Sequence, residues 1–136
     1  MASGKEWVLL DTSAWIGAFR GSSEALSKRV QELLADDRVA ICGPVVFEIR
    51  RGLRPKEQKT VLPLFEALHF LPFAEEDWAA AGSLDVTLRQ KGLTLPAMDL
   101  LIATLCQRHQ VTLLTLDQHF SMVPKLKALF PGVEPD

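Results

Sequence analysis

The sequence contains no tyrosine, only two cysteines and no surplus of positive charge. Cys42 lies in an apolar strand-like run and Cys106 in an apolar helical one, without C-x-x-C spacing or a neighbouring histidine pattern, which excludes a recognisable thiolate metal motif. They read as two buried thiols. A net charge of −2 and a pI of 5.9 exclude a wholesale electrostatic attraction to nucleic acid, so any such contact must come from a local patch. No apolar stretch approaches the roughly 20 residues needed to cross a bilayer, and the opening MASGKEW has neither the apolar core nor the cleavage site of a secretory leader. The expected location is the cytoplasm, with no membrane partner.

What is present is globular. The 136 residues are 48% hydrophobic and 24% charged, with 8 glycines and 8 prolines, a composition that folds without disorder or low complexity. We read one domain over residues 1–136, without internal repeat or linker. EWVLLD is a buried strand ending abruptly at Asp11, and SSEALSKRVQELLADD behind it carries Leu26, Val30, Leu33 and Leu34 at helical spacing. RVAIC is a second strand. Gly43-Pro44 then opens a helix over VVFEIRRGL that closes at Gly52, because proline suits a first helical turn. KEQKTVLPLFEAL is helical with a break expected near Pro63, HFLPF is a short extended piece, and EEDWAAAGSLDVTLRQKG is a long helix. Pro96 opens a further helix, PAMDLLIATLCQRHQ; VTLLT is a third buried strand; and VPKLKALFPG is expected to be one more short helix. Apolar strands alternating with helices predict an α/β fold with a central parallel sheet covered by helices on both faces.

That architecture gathers acids. In a parallel α/β sheet the carboxyl ends of strands and the amino ends of their neighbouring helices share one edge. Asp11 closes the first strand, Glu48 falls early in the helix after the second, Asp99 near the start of the helix before the third, and Asp117 just past the third. All four are assigned to the carboxyl edge. Asp99 is the odd residue of an otherwise apolar run, where a charge costs several kcal/mol unless compensated. Clustered carboxylates repel one another unless a divalent cation neutralises them, and Mg²⁺ or Mn²⁺ favour such oxygen ligands.

Each acid alone also has a structural explanation. Asp11 and Asp117 suit helix capping, Glu48 suits an i, i+3 pair with Arg51, and Asp99 suits the positive end of its helix. Capping does not explain why all four reach one edge. Thr12, Ser13 and Thr115 flank the acids, either to orient a carboxylate or as turn residues.

Together LLDTSAW, VVFEIRRGL, PAMDLLIA and LLTLDQHF resemble the four signatures of the PIN-domain ribonucleases, over nearly the whole chain. Within them the single-domain length and the DTS, E-x-x-R-G and T-x-D-x-x-F runs resemble the VapC-type toxins of toxin–antitoxin pairs. Each motif is short; their order and spacing carry the likeness. The resemblance implies a PIN-like fold and a Mg²⁺- or Mn²⁺-dependent endoribonuclease, with Asp11, Glu48, Asp99 and Asp117 matching the acidic metal-binding quartet and Thr115 the family's hydroxyl before the last acid. It also implies a homodimer, an antitoxin partner lying across the active-site groove, and a structured RNA substrate such as tRNA or rRNA.

Arg20, Arg50, Arg51, Arg54, Lys56 and Lys59 are candidates to grip RNA, or else a solvated surface. Trp15 is expected to pack internally rather than stack on a base. Trp7, Trp78 and the histidines read as core or surface, with a smaller claim for His119 beside Asp117. Competing functions are weaker. A strand ending in Asp-Thr resembles the haloacid-dehalogenase phosphatases, but their second aspartate is replaced by Ser13, and a receiver-type phosphoacceptor would want an acidic companion that Asp11 lacks. A PIN-type RNA-processing or decay nuclease without an antitoxin, and a non-catalytic RNA- or protein-binding scaffold, remain the alternatives.

Overall fold

The computed structural model describes residues 6–131. Among them five parallel strands form one sheet: β1 (Val8–Leu10), β2 (Val39–Cys42), β3 (His69–Leu71), β4 (Thr112–Leu114) and β5 (Ala128–Leu129), in the order β3-β2-β1-β4-β5. The helices are α1 (Thr12–Phe19), α2 (Glu24–Ala35), α3 (Gly43–Gly52), α4 (Pro55–Phe65), α5 (Glu75–Gln90) and α6 (Ala97–His109). Every residue of β1 and β2 is buried, which is why both strands are apolar without alternation.

The strand order reverses direction at β1. β2 and β3 extend to one side and β4 and β5 to the other, so the carboxyl ends of β1 and β4 flank the crevice where open α/β sheets bind ligands. Leu10 pairs with Leu114 at that end, and the Asp11 amide donates to the Leu114 carbonyl at 3.1 Å. This register sets Asp11 and Thr115 side by side.

Local chemistry explains most elements. Ser23 caps α2 by accepting the Leu26 N–H at 3.2 Å, and Leu26, Val30 and Leu33 bury one face of that helix. Pro44 sits in the first turn of α3, whose Val45 and Ile49 are buried, and the Gln58 side chain donates to the Arg50 and Leu53 carbonyls where α3 ends. α6 buries Ile102, Ala103, Leu105 and Cys106 and stops at Gln110, whose φ of 56° is left-handed. α5 and α6 are tied together by an ion pair between buried Asp77 and exposed Arg108: Arg108 Nε lies 3.1 Å from Asp77 Oδ1, and Asp77 also accepts the Ala74 N–H. Cys42 and Cys106 are buried free thiols, and burial pushes the Cys42 thiol up to about 12.

Three expectations are corrected. The segment TSAWIGAF forms a separate helix, α1, ahead of α2. Gly17 lets the two approach, since a Cβ there would lie 2.8 Å from Leu26 Cδ2. Helix α4 runs through Pro63 without a break, because the proline falls in its last turn, where only the Lys59 carbonyl loses its helical N–H donor. The short helix assigned to VPKLKALFPG is absent over residues 123–131; Gly132 lies outside the described residues. Lys125 turns at φ 59°, and β5 then supplies β4 with an outer partner, the Lys127 and Leu129 carbonyls accepting the Leu113 and Thr115 N–H groups at 2.8 and 3.1 Å. An unpaired β4 edge satisfied outweighs an ambiguous helical period.

Candidate active site

Asp11 is the fixed point. It is 4% exposed, one residue past β1, and its Oδ1 caps α1 by accepting the Ala14 N–H at 2.9 Å and the Ser13 hydroxyl at 2.7 Å. Thr115, fully buried just past β4, donates to Asp11 Oδ2 at 2.5 Å and accepts the Asp117 N–H at 2.9 Å. Ser13 also accepts the Leu116 N–H at 3.1 Å. Two hydroxyls thus lock the loop after β4 onto the end of β1.

Asp117 caps the 3-10 turn Gln118–Met122 through the His119 N–H, and its Oδ1 also meets His119 Nδ1 at 2.9 Å. Glu48, in α3, accepts the Thr12 hydroxyl at 2.6 Å rather than pairing with Arg51. Asp99, in the first turn of α6, receives no hydrogen bond among the described residues, although it is only partly exposed.

Burial first, then the charges of Glu48, Asp11 and Asp117, push the Asp99 carboxyl up to about 6; His119 partly offsets this. Burial also raises the Asp11 carboxyl, against the opposing hydrogen bonds from Thr115, Ser13 and Ala14, and the Asp117 charge adds to the rise. Asp99 therefore feels the other three acids at once. Among the described residues no three His, Cys, Asp or Glu side chains are drawn together into a metal cage. Asp11 and Glu48 are instead turned onto hydroxyls. Closing the set around a cation requires side-chain rotation, and Asp99, which no hydrogen bond holds, is the acid most able to turn. An all-carboxylate donor set with one undonated, charge-repelled member fits a hard divalent ion.

Of the basic candidates, Arg20 and Arg54 reach Glu57 at 3.6 and 3.7 Å, Arg51 stands over the Phe47 ring, and Arg50, Lys56 and Lys59 are exposed. Trp15 is fully buried against Phe19 and Phe65, as core. Trp7 stacks on His69, while Trp78 is exposed and stacks on Phe73. The sequence reading missed Asp77 and Arg108, because EEDW looks like an ordinary solvated helix start.

A five-stranded parallel sheet with acids gathered beside its switch point defines an α/β protein with a candidate site at that edge, and residues 8–126 match the PIN domain family, to which the chain belongs. Within that family its relatives are VapC ribonucleases. The VapC ribonuclease Mb1587 of Mycobacterium bovis and ribonuclease VapC11 of Mycobacterium tuberculosis are each 31% identical over 127 residues, covering 90% of this chain and 95% of theirs. Among solved structures, VapBC2 from Rickettsia felis, bound to a DNA fragment from its promoter, matches with a TM-score of 0.77 and 26% identity, covering 91% of this chain and 98% of that one. No helix among the described residues is long and apolar enough to cross a membrane.

Proposed function

We propose that this chain is a Mg²⁺- or Mn²⁺-dependent endoribonuclease and the toxin of a toxin–antitoxin pair. One observation carries the reading: Asp99 is a half-buried carboxylate without a donor, repelled by Glu48, Asp11 and Asp117 together. A fold does not keep such a group for stability alone. The ribonuclease names of the relatives and the toxin–antitoxin complex among the structural neighbours support the same reading.

Asp11, Glu48, Asp99 and Asp117 would hold the ion. A divalent cation held by carboxylates supplies an activated water and stabilises charge on the phosphate and leaving oxygen. The protein's own part is orientation. Ser13 and Thr115 fix both oxygens of Asp11, Thr115 fixes the backbone that carries Asp117, and Thr12 aims Glu48 at the same edge. Such supporting bonds hold ligands in place. The proposed partners are RNA, a cognate antitoxin and a second copy of the chain.

Purified protein should cut RNA with Mg²⁺ or Mn²⁺ and stop in EDTA. Undiminished cleavage in EDTA would refute the metal assignment. A small open reading frame immediately upstream, whose product binds this chain and blocks cleavage, would establish the antitoxin; its absence would favour a nuclease acting alone.

A further inference from the structure

Helix α3 exposes a large aromatic beside the proposed site. Phe47 is 48% exposed, although its helix buries Val45 and Ile49 completely. It immediately precedes Glu48, and Arg51, one turn on, holds its guanidinium 4.9 Å from the Phe47 ring centroid. At 3.6 residues per turn, Phe47 and Arg51 stand about 100° and 60° round the helix from Glu48. Arg51 makes no ion pair among the described residues, whereas Arg20 and Arg54 are both engaged by Glu57. The outcome is a half-exposed aromatic ring covered by a guanidinium that makes no ion pair among the described residues, both within one turn of a proposed metal-binding acid.

From this juxtaposition we infer that Phe47 and Arg51 form a subsite for one unpaired nucleobase of the RNA, the guanidinium swinging off the ring to the adjoining backbone phosphate and the base stacking in its place. The inference rests on the ribonuclease reading and adds to it the two residues that would hold an unpaired base beside the cut. An aromatic face accepts any base that has left its helix, whereas a base within a duplex has both faces already covered. The chain's net charge of −2 gives no general hold on RNA, so local grips of this kind must position the strand. Stacking is uniform binding, felt equally before and during the reaction, and therefore belongs in KM rather than kcat.

The test compares Phe47→Leu, Phe47→Trp and Arg51→Ala with the unaltered protein in Mn²⁺, on a short single-stranded RNA and on the same sequence in a duplex. Leucine keeps apolar bulk and removes the stacking face. Phe47→Leu should raise KM for the single strand about 5- to 100-fold with kcat little changed, Phe47→Trp should preserve it, and Arg51→Ala should raise KM and flatten its salt dependence. The duplex should be a poor substrate for all four proteins. A 2-aminopurine placed at the cut site should be quenched on binding in EDTA by the unaltered protein and not by Phe47→Leu. If the unaltered protein cuts but Phe47→Leu matches it in KM and quenching, the subsite is wrong while the nuclease reading stands. If the unaltered protein does not cut RNA with any divalent ion, the nuclease reading itself fails. Normal cleavage by Phe47→Leu with loss of self-association would reassign Phe47 to a protein interface and overturn the inference.

Discussion

Asp99→Asn separates a metal ligand from a structural anion, because the two roles predict opposite changes in stability. The substitution nearly preserves shape and removes one charge. Raising an aspartate from its ordinary 3.8 to about 6 corresponds to about 3 kcal/mol of unfavourable charge at neutral pH if felt in full. Asp99 is only partly buried, so solvent screening reduces this to about 1 kcal/mol. Without metal, the variant should therefore be more stable by about 1 kcal/mol, a Tm rise of about 3–5 °C for a chain of this length. A buried anion paired with a cation behaves differently: neutralising it strands the partner and costs about 3–5 kcal/mol. No cation pairs with Asp99 among the described residues. The assay is thermal unfolding in EDTA beside RNA cleavage in Mn²⁺. We expect an equal or higher Tm with cleavage reduced by orders of magnitude. A Tm lower by 10 °C, with full cleavage per folded molecule, would refute the reasoning.

The remaining predictions test the supports of the site. Between about pH 4 and 6 the folded protein binds more protons at Asp99 than the unfolded chain does, so metal-free stability should fall as pH rises through that window. Asp99→Asn should flatten the slope in urea titrations; a slope of opposite sign would count against the raised carboxyl. Mn²⁺ should raise the Tm of the unaltered protein, by about 2.7 kcal/mol of stability at a hundredfold excess over Kd, and this gain should weaken below pH 6 as protons compete. A calorimetric titration that finds affinity constant from pH 5 to 7 would reject the competition. Thr115→Val removes a donor to Asp11 and an acceptor for the Asp117 N–H inside the core, so it should cost about 1–3 kcal/mol and much of the cleavage, while Thr115→Ser restores both. Gly17→Ala should lower stability by about 1–3 kcal/mol by pushing on Leu26, Leu116 and Ser22, with the Tm as readout and no loss expected if α1 and α2 can part freely.

What the sequence disclosed followed from burial. β1 and β2 are covered on both faces, so they read as continuous apolar runs, and the amphipathic stripe of α2 survives in Leu26, Val30 and Leu33. α1 was not legible as a separate helix because TSAWIGAF is apolar nearly all round and shows no stripe; tertiary packing, not periodicity, makes it helical. β5 was illegible for the opposite reason. Its two residues have no strand pattern of their own and are defined by carbonyls offered to the edge of β4. The sheet edge at which the candidate acids fall was legible, because strand ends and helix starts place Asp11, Asp99 and Asp117 by topology alone. Their hydroxyl partners were visible only as neighbours in sequence. That Ser13 reaches across to Leu116, and Thr12 to Glu48, depends on pairings between distant segments.

The aspartate that ends the first strand also shows why capping and metal binding are not rival explanations. As a cap, Asp11 accepts the Ala14 N–H through Oδ1, which fixes its rotamer at the switch point of the sheet. Each carboxylate oxygen has two lone pairs; Ala14 and Ser13 take both on Oδ1, so the remaining capacity lies on Oδ2. Thr115 then meets Oδ2 from the neighbouring strand, so the group is held from two elements before any ligand arrives. Asp117 repeats the arrangement, capping its own turn through His119 while Thr115 anchors its backbone. Asp99 has no such anchor, and burial first, then the charges of Glu48, Asp11 and Asp117, raise its carboxyl. The proposed site thus combines two capped carboxylates, Asp11 and Asp117, with Glu48 on the Thr12 hydroxyl and an undonated Asp99. A divalent cation bound there, as proposed, would relieve the repulsion among the four acids.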